Sequence, residues 1–147
     1  MNGRKGDGEK GRWGEFNIKF VYDMKLILSH KQLDVYKLAY KLAMEIYHLS
    51  KKFPADERYS LTDQIRRSSR SVSANLAEAF RKRRYEKAFI AKLSDSEGEC
   101  AETQTWLDFA RDCEYINSDT CDKINQEYEH VIGMLVNMIK SPEKWSV

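Results

Sequence analysis

FIAKLSDSEGECAETQTWLDFA, residues 89–110, is the stretch that decides the fold. Within it Phe89, Leu93, Ser96, Cys100, Thr103, Leu107 and Ala110 recur at alternate steps of four and three. That spacing lays one seam, apolar but sprinkled with small polar groups, along one side of an α-helix, the periodicity that packs helix on helix. A second seam follows at Cys121, Ile124, Tyr128, Val131, Leu135 and Met138. Two long seams joined by the short polar turn Asn117-Ser118-Asp119 make a helical hairpin.

Working outward, a helix is expected from Lys31 to Phe53, stopped by Pro54, whose ring and missing N–H end it. Its core stripe is Val35, Leu38, Leu42, Ile46, Leu49 and Phe53, with a second stripe of Tyr36, Tyr40, Ala43 and Tyr47 beside it. A bundle helix needs one stripe. The extra one is either a subunit contact or a half-exposed aromatic edge. A second helix opens at Ser60, a candidate N-cap with Asp63 three residues on, and carries Leu61, Ile65, Val72, Leu76 and Phe80 inward. Its run Ser68-Ser69-Arg70-Ser71-Val72-Ser73-Ala74 has poor helix propensity, so it needs tertiary support and permits close approach of a neighbour. The third helix spans Tyr85 to Glu114 and the fourth ends near Lys140, before Pro142. Short connections favour antiparallel neighbours. The expected fold is all-α, an up-down-up-down four-helix bundle over residues 31–141, with a flexible segment 1–30 and a short tail 142–147.

The chain's 147 residues suffice for one domain with a core. No apolar run approaches the roughly 20 residues of a membrane span, so no membrane partner is expected. Arg4, Lys5 and Lys10 are followed by no apolar stretch of a secretory signal. Three cysteines without metal-ligand spacing fit thiols in a reducing compartment, and the expectation is cytoplasmic. Five of the seven glycines fall before Glu15, a composition that reads as disordered. The G-x-G-x-x-G at Gly6, Gly8 and Gly11 lacks the preceding strand that a dinucleotide site requires. From Ile18 to Leu28 apolar residues alternate as in an extended arm, and Met24 is an alternative start.

Net charge is only +2, but its distribution is lopsided. Arg66, Arg67, Arg70, Arg81, Lys82, Arg83 and Arg84 make the second helix basic, and the third is acidic. Guanidinium groups fork onto phosphates, and a basic patch gains from counterion release, so these seven are the candidate nucleic-acid contacts. The competing reading pairs them with the acidic third helix, within or between subunits. Glu45-x-x-His48 and Glu127-x-x-His130 match half of a di-metal carboxylate site, but all four residues flank the core seams rather than occupy them. No metal and no cofactor is expected. Cys100 and Cys121 lie on seams, and Cys113 sits between two acids, so no catalytic nucleophile stands out. Asn75 and Glu78, at i and i+3, are expected to face another helix and to fix register with a partner such as Gln104.

Several stretches carry a family resemblance: Leu33-Asp34-Val35-Tyr36-Lys37-Leu38-Ala39, Gln64-Ile65-Arg66-Arg67-Ser68-Ser69, Ser71-Val72-Ser73-Ala74-Asn75-Leu76-Ala77-Glu78-Ala79-Phe80, Arg81-Lys82-Arg83-Arg84-Tyr85, and Glu102-Thr103-Gln104-Thr105-Trp106-Leu107. Together they make the chain resemble, from Leu33 to Ile139, the 23S rRNA-intervening sequence proteins. Many members carry proline where this chain has Ser73 and glycine where it has Ala79, so its second helix is expected to be straighter. The resemblance implies an antiparallel bundle assembling into a ring, commonly a pentamer, and no known reaction. A related bundle is the accessory protein of diversity-generating retroelements, which works with nucleic acid. The resulting expectation is a non-enzymatic homo-oligomer serving as an RNA- or DNA-associated adaptor. Tyr36, Tyr40, Tyr47, Asn75 and Glu78 are the candidate subunit contacts. The rivals are a structural or protein-binding oligomer and a di-metal bundle.

Overall fold

The computed structural model describes residues 27–147. Four helices run in alternating directions: α1 (Asp34–Ser50), α2 (Leu61–Arg81), α3 (Glu86–Asp112) and α4 (Ser118–Lys140). The expected bundle is what forms, and among the described residues there is no strand. The glycine-rich segment, its G-x-G-x-x-G and the alternating residues up to Leu26 lie outside the described residues.

The two diagnostic seams are buried as spaced. On α3 the buried residues are Phe89, Leu93, Ser96, Cys100, Thr103, Leu107 and Ala110; on α4 they are Cys121, Ile124, Tyr128, Val131, Leu135 and Met138. The small polar members of the α3 seam explain the serine run opposite. Ser96 donates to the Val72 carbonyl at 2.8 Å, and Thr103 Oγ1 lies 2.8 Å from Ser68 Oγ. Short hydroxyls let the backbones of α2 and α3 close in, and the buried Ser96 and Thr103 each find a partner across the gap. The α2 helix runs unbroken through Ser73.

Three local expectations need correction. Helix one begins at Asp34, not Lys31, because Leu33 is extended (φ −68°, ψ 130°). Ahead of it His30–Gln32 form a 3₁₀ turn held by a Ser29/Gln32 capping box. Along α1 the inward positions are Val35, Ala39, Leu42, Ala43 and Ile46, with Leu38 and Leu49 only half-buried at the margin. Ser60 takes the N-cap position of α2, yet it caps nothing: its hydroxyl donates to Glu57 Oε1 at 2.8 Å. Asn117, by contrast, accepts from the Thr120 N–H at 2.7 Å and caps α4.

The turn from α3 to α4 is a Schellman closure. The Tyr115 N–H donates to the Ala110 carbonyl (2.8 Å) and the Glu114 N–H to that of Arg111 (2.9 Å), with Glu114 at φ 64°. Aromatic contacts mark the two ends of the bundle. His30 meets Phe80 where α1 starts and α2 stops, and Phe53 meets Tyr115 where α1 stops and α3 ends. After α4, Pro142–Trp145 form a 3₁₀ turn that brings Trp145 against the core.

Candidate nucleic-acid interface

Arg66 and Arg70, one turn apart, rise from the flank of α2 that faces α1. Both guanidinium groups lie over the ring of Tyr47 from α1, at 5.0 and 5.8 Å from its centroid, and Lys51 covers the same ring at 4.6 Å. Ser50 fixes the geometry: it accepts from Arg66 Nε at 2.8 Å and donates to the Tyr47 carbonyl at 3.0 Å. Three cations thus gather on one tyrosine, each attracted to the ring's negative face. The sequence pattern kept the tyrosines of one helix apart from the arginines of the next. It also gave no hint of Ser50 or Lys51, although Lys51 stands at i+4 from Tyr47.

Beyond this cluster a shallow groove of about 350 Å³ runs between α1 and α2, with Tyr36, Tyr40 and Met44 along one wall and Ala74 and Ala77 along the other. Tyr40 is 54% and Met44 41% exposed. Ser73, buried on the groove floor, has a hydroxyl without a protein partner.

The remaining bases lie elsewhere. Arg67 sits on the opposite flank of α2, toward α3, where its charge partly offsets the rise in the Glu99 pKa that burial and neighbouring Glu102 cause. From Arg70 to Arg81 the helix climbs eleven residues, roughly 16 Å at its usual rise. Arg81, Lys82 and Arg84 are exposed at the end of the bundle. Arg83 folds inward: Nε donates to the Phe80 carbonyl at 2.8 Å and the guanidinium stacks 3.7 Å from the Phe80 ring. Burial and the charge of Arg81 lower its pKa from the ordinary guanidinium value. The single patch expected on helix two is therefore two groups with a groove between them.

Among the described residues, none of these seven bases makes an ion pair. The α2–α3 bridge that does form has the reverse polarity, Lys92 of α3 to Glu78 of α2 at 2.9 Å. Hydrogen bonding and charge attraction from Lys92 hold the Glu78 carboxyl below its usual range. Among the described residues α3 thus gives these arginines no ion pair, and Arg67 acts on Glu99 only at longer range. The expected pairing of Asn75 and Glu78 with Gln104 is not made either. Asn75 donates to the Ser71 carbonyl of its own helix (2.9 Å), and Gln104 reaches across to α4, donating to Glu129 Oε1 (2.9 Å) and the Asn125 carbonyl (3.2 Å).

The Glu-x-x-His motifs do not converge. Glu45 faces Lys41 at 3.8 Å and His48 packs edge-on to Tyr47. Among the described residues no three His, Cys, Asp or Glu side chains are grouped to hold a metal ion. Burial pushes the Cys100 thiol up to about 12, whereas Cys113 is exposed. No described helix is long and apolar enough to cross a membrane.

Charge is also divided along the bundle axis. Lys31, Arg81, Lys82, Arg84, Lys87, Lys140 and Lys144 crowd the end where α1 starts, against Asp34, Glu86 and Glu143. The far end carries Asp56, Glu57, Asp63, Asp112, Glu114, Asp119 and Asp122, against Lys51, Lys52, Arg58, Arg111 and Lys123.

The family described as 23S rRNA-intervening sequence protein matches residues 31–137. No curated protein matches the chain. Among solved structures, a protein of unknown function from the S23 ribosomal protein family of Bacteroides thetaiotaomicron is similar. The two share 29% identity at a TM-score of 0.65, over 72% of this chain and 95% of that one.

Proposed function

The chain belongs to the 23S rRNA-intervening sequence protein family, and from that membership we propose a non-enzymatic, oligomeric adaptor that holds RNA or DNA through the basic face of α2. The observation that carries this reading is that Arg66, Arg70, Arg81, Lys82 and Arg84 make no ion pair among the described residues. An arginine already neutralised inside the chain gains little from a phosphate; these have that interaction still to make. Lys51, Arg66 and Arg70 on Tyr47 form the primary contact, with Arg81, Lys82 and Arg84 as a second point of attachment along the strand.

A second reading rests on the groove itself. Exposed Tyr40 and Met44 beside Ala74 and Ala77 suit cover by another protein surface. On the other side of the bundle, between α3 and α4, stand Asp108, Asp122 and Glu129. A basic aromatic face and an acidic face on opposite sides suit head-to-tail association, which can close into a ring such as the pentamer that the resemblance implies.

Both readings use the α1–α2 surface, so binding and mass belong in one experiment: RNA and DNA affinity across a salt series, with oligomer mass on the same sample. Log affinity is expected to fall linearly with log salt. Arg66→Ala with Arg70→Ala should lower that slope by about 1.4–1.8, at 0.7–0.9 per phosphate contact, with the mass unchanged. No binding at low salt by an intact oligomer would assign the face to protein contact instead.

A further inference from the structure

At the basic end of the bundle, where α1 starts and α4 stops, lies a pocket of about 610 Å³ that the polyanion reading does not use. Leu33 and Val35 from the entry to α1, Met134 and Met138 from α4, and Trp145 from the terminal 3₁₀ turn line its apolar part. Lys140 and Lys144 stand at its edge with the amides of Gln32 and Asn137. Among the described residues neither lysine is in an ion pair, and Asp34 is the single acid of the lining. The volume falls in the small-molecule range, and the mix of a continuous apolar wall with a few polar groups is what such sites share. Two thioethers give that wall the adaptability to follow a flexible chain. Leu33 takes the N-cap position of α1 without a side-chain hydrogen bond, so no capping group competes at this edge of the pocket.

The geometry points to a binding site for a small amphipathic anion, an apolar carboxylate with its head on Lys140 and Lys144 and its body against Met134, Met138 and Trp145. The assignment follows from charge and shape together. A neutral apolar ligand leaves both ammonium groups without a counter-charge, and a cationic one is repelled by them. None of these residues belongs to the Tyr47 cluster, so the site stands or falls apart from nucleic-acid binding.

Decanoate, below its micellar range, is the probe. With Trp13→Phe and Trp106→Phe in the full chain, Trp145 becomes the sole tryptophan and reports binding by its emission; calorimetry on the unaltered chain supplies the stoichiometry. One decanoate per chain is expected, with saturable binding and a blue shift of Trp145. Lys140→Gln with Lys144→Gln should weaken it at least tenfold without changing the helical circular dichroism. Decyltrimethylammonium should bind at least tenfold more weakly than decanoate. Equal binding of the cation, an unaltered affinity in the lysine variant, or no saturable binding by the full chain would each overturn the assignment. The same lysine variant, run through the RNA salt series, should retain the slope change on removal of Arg66 and Arg70, so that a failure of one site is told from a failure of the other.

Discussion

Glu114 sits where helices that close this way commonly place glycine. Its φ of 64° brings Cβ against the following carbonyl, a clash of roughly 1–2 kcal/mol for a residue with a side chain. Glu114→Gly should therefore stabilise the fold by about 1 kcal/mol, less the added entropy of the unfolded glycine, and raise the urea midpoint without altering its slope. Tyr128 offers a second test. Its ring is fully buried in the α4 seam, and its hydroxyl has no protein partner. Burial, with Cys100 and Glu45 nearby, drives its pKa well up, so the group stays neutral. Leaving a buried hydroxyl unpaired costs about 1–3 kcal/mol. Tyr128→Phe keeps the shape and removes that cost, so thermal unfolding should shift upward, whereas Tyr128→Ala should lose roughly 3–5 kcal/mol. Neither feature is legible in the sequence. A glutamate at the end of a helix looks like any other, and the heptad rule places Tyr128 inward without saying what its hydroxyl meets.

At the scale of the element, the seams of α3 and α4 were fully legible, because a heptad step of four and three determines which side of a helix is buried whatever the tertiary partner. The small polar members of the α3 seam carried more than hydrophobicity alone, since they set how closely α2 approaches. Ser96→Leu should cost at least about 2 kcal/mol: it loses the bond to the Val72 carbonyl and forces the two backbones apart. Helix starts were less legible. Leu33 turns extended, and Ser60 bonds Glu57 in place of its own helix; both depend on competing local hydrogen bonds, which spacing does not record. The flank of α3 beside Arg67 yields a pH prediction. Glu99 has its pKa raised by burial and by Glu102. A carboxyl whose folded pKa lies above its unfolded value costs stability when ionised, and the cost disappears as the pH falls through the raised value. Glu99→Gln should accordingly raise the urea midpoint at pH 7, with the gain shrinking as the pH is lowered into the carboxylate range.

For the whole molecule, the sequence yielded the candidate bases but not their grouping. Periodicity assigns a residue to a side of its own helix; which neighbouring helix meets that side is a matter of packing. That is why Tyr47 and Arg66 looked like parts of two different surfaces, one for subunits and one for nucleic acid, and prove to be one. It is also why the acidic third helix looked like a counter-charge for α2, when the bridge between them is Glu78 with Lys92. The division of charge between the two ends was harder still to see, because the end residues are scattered through the chain and meet only when the helices alternate. Such a bundle carries a permanent dipole moment along its axis. At low ionic strength, where fields reach on the order of 30 Å, torque acts on it before contact does. It turns as it approaches, basic end first. On a negatively charged plane it would therefore settle as a film of upright molecules, all pointing the same way, with their acidic ends outward.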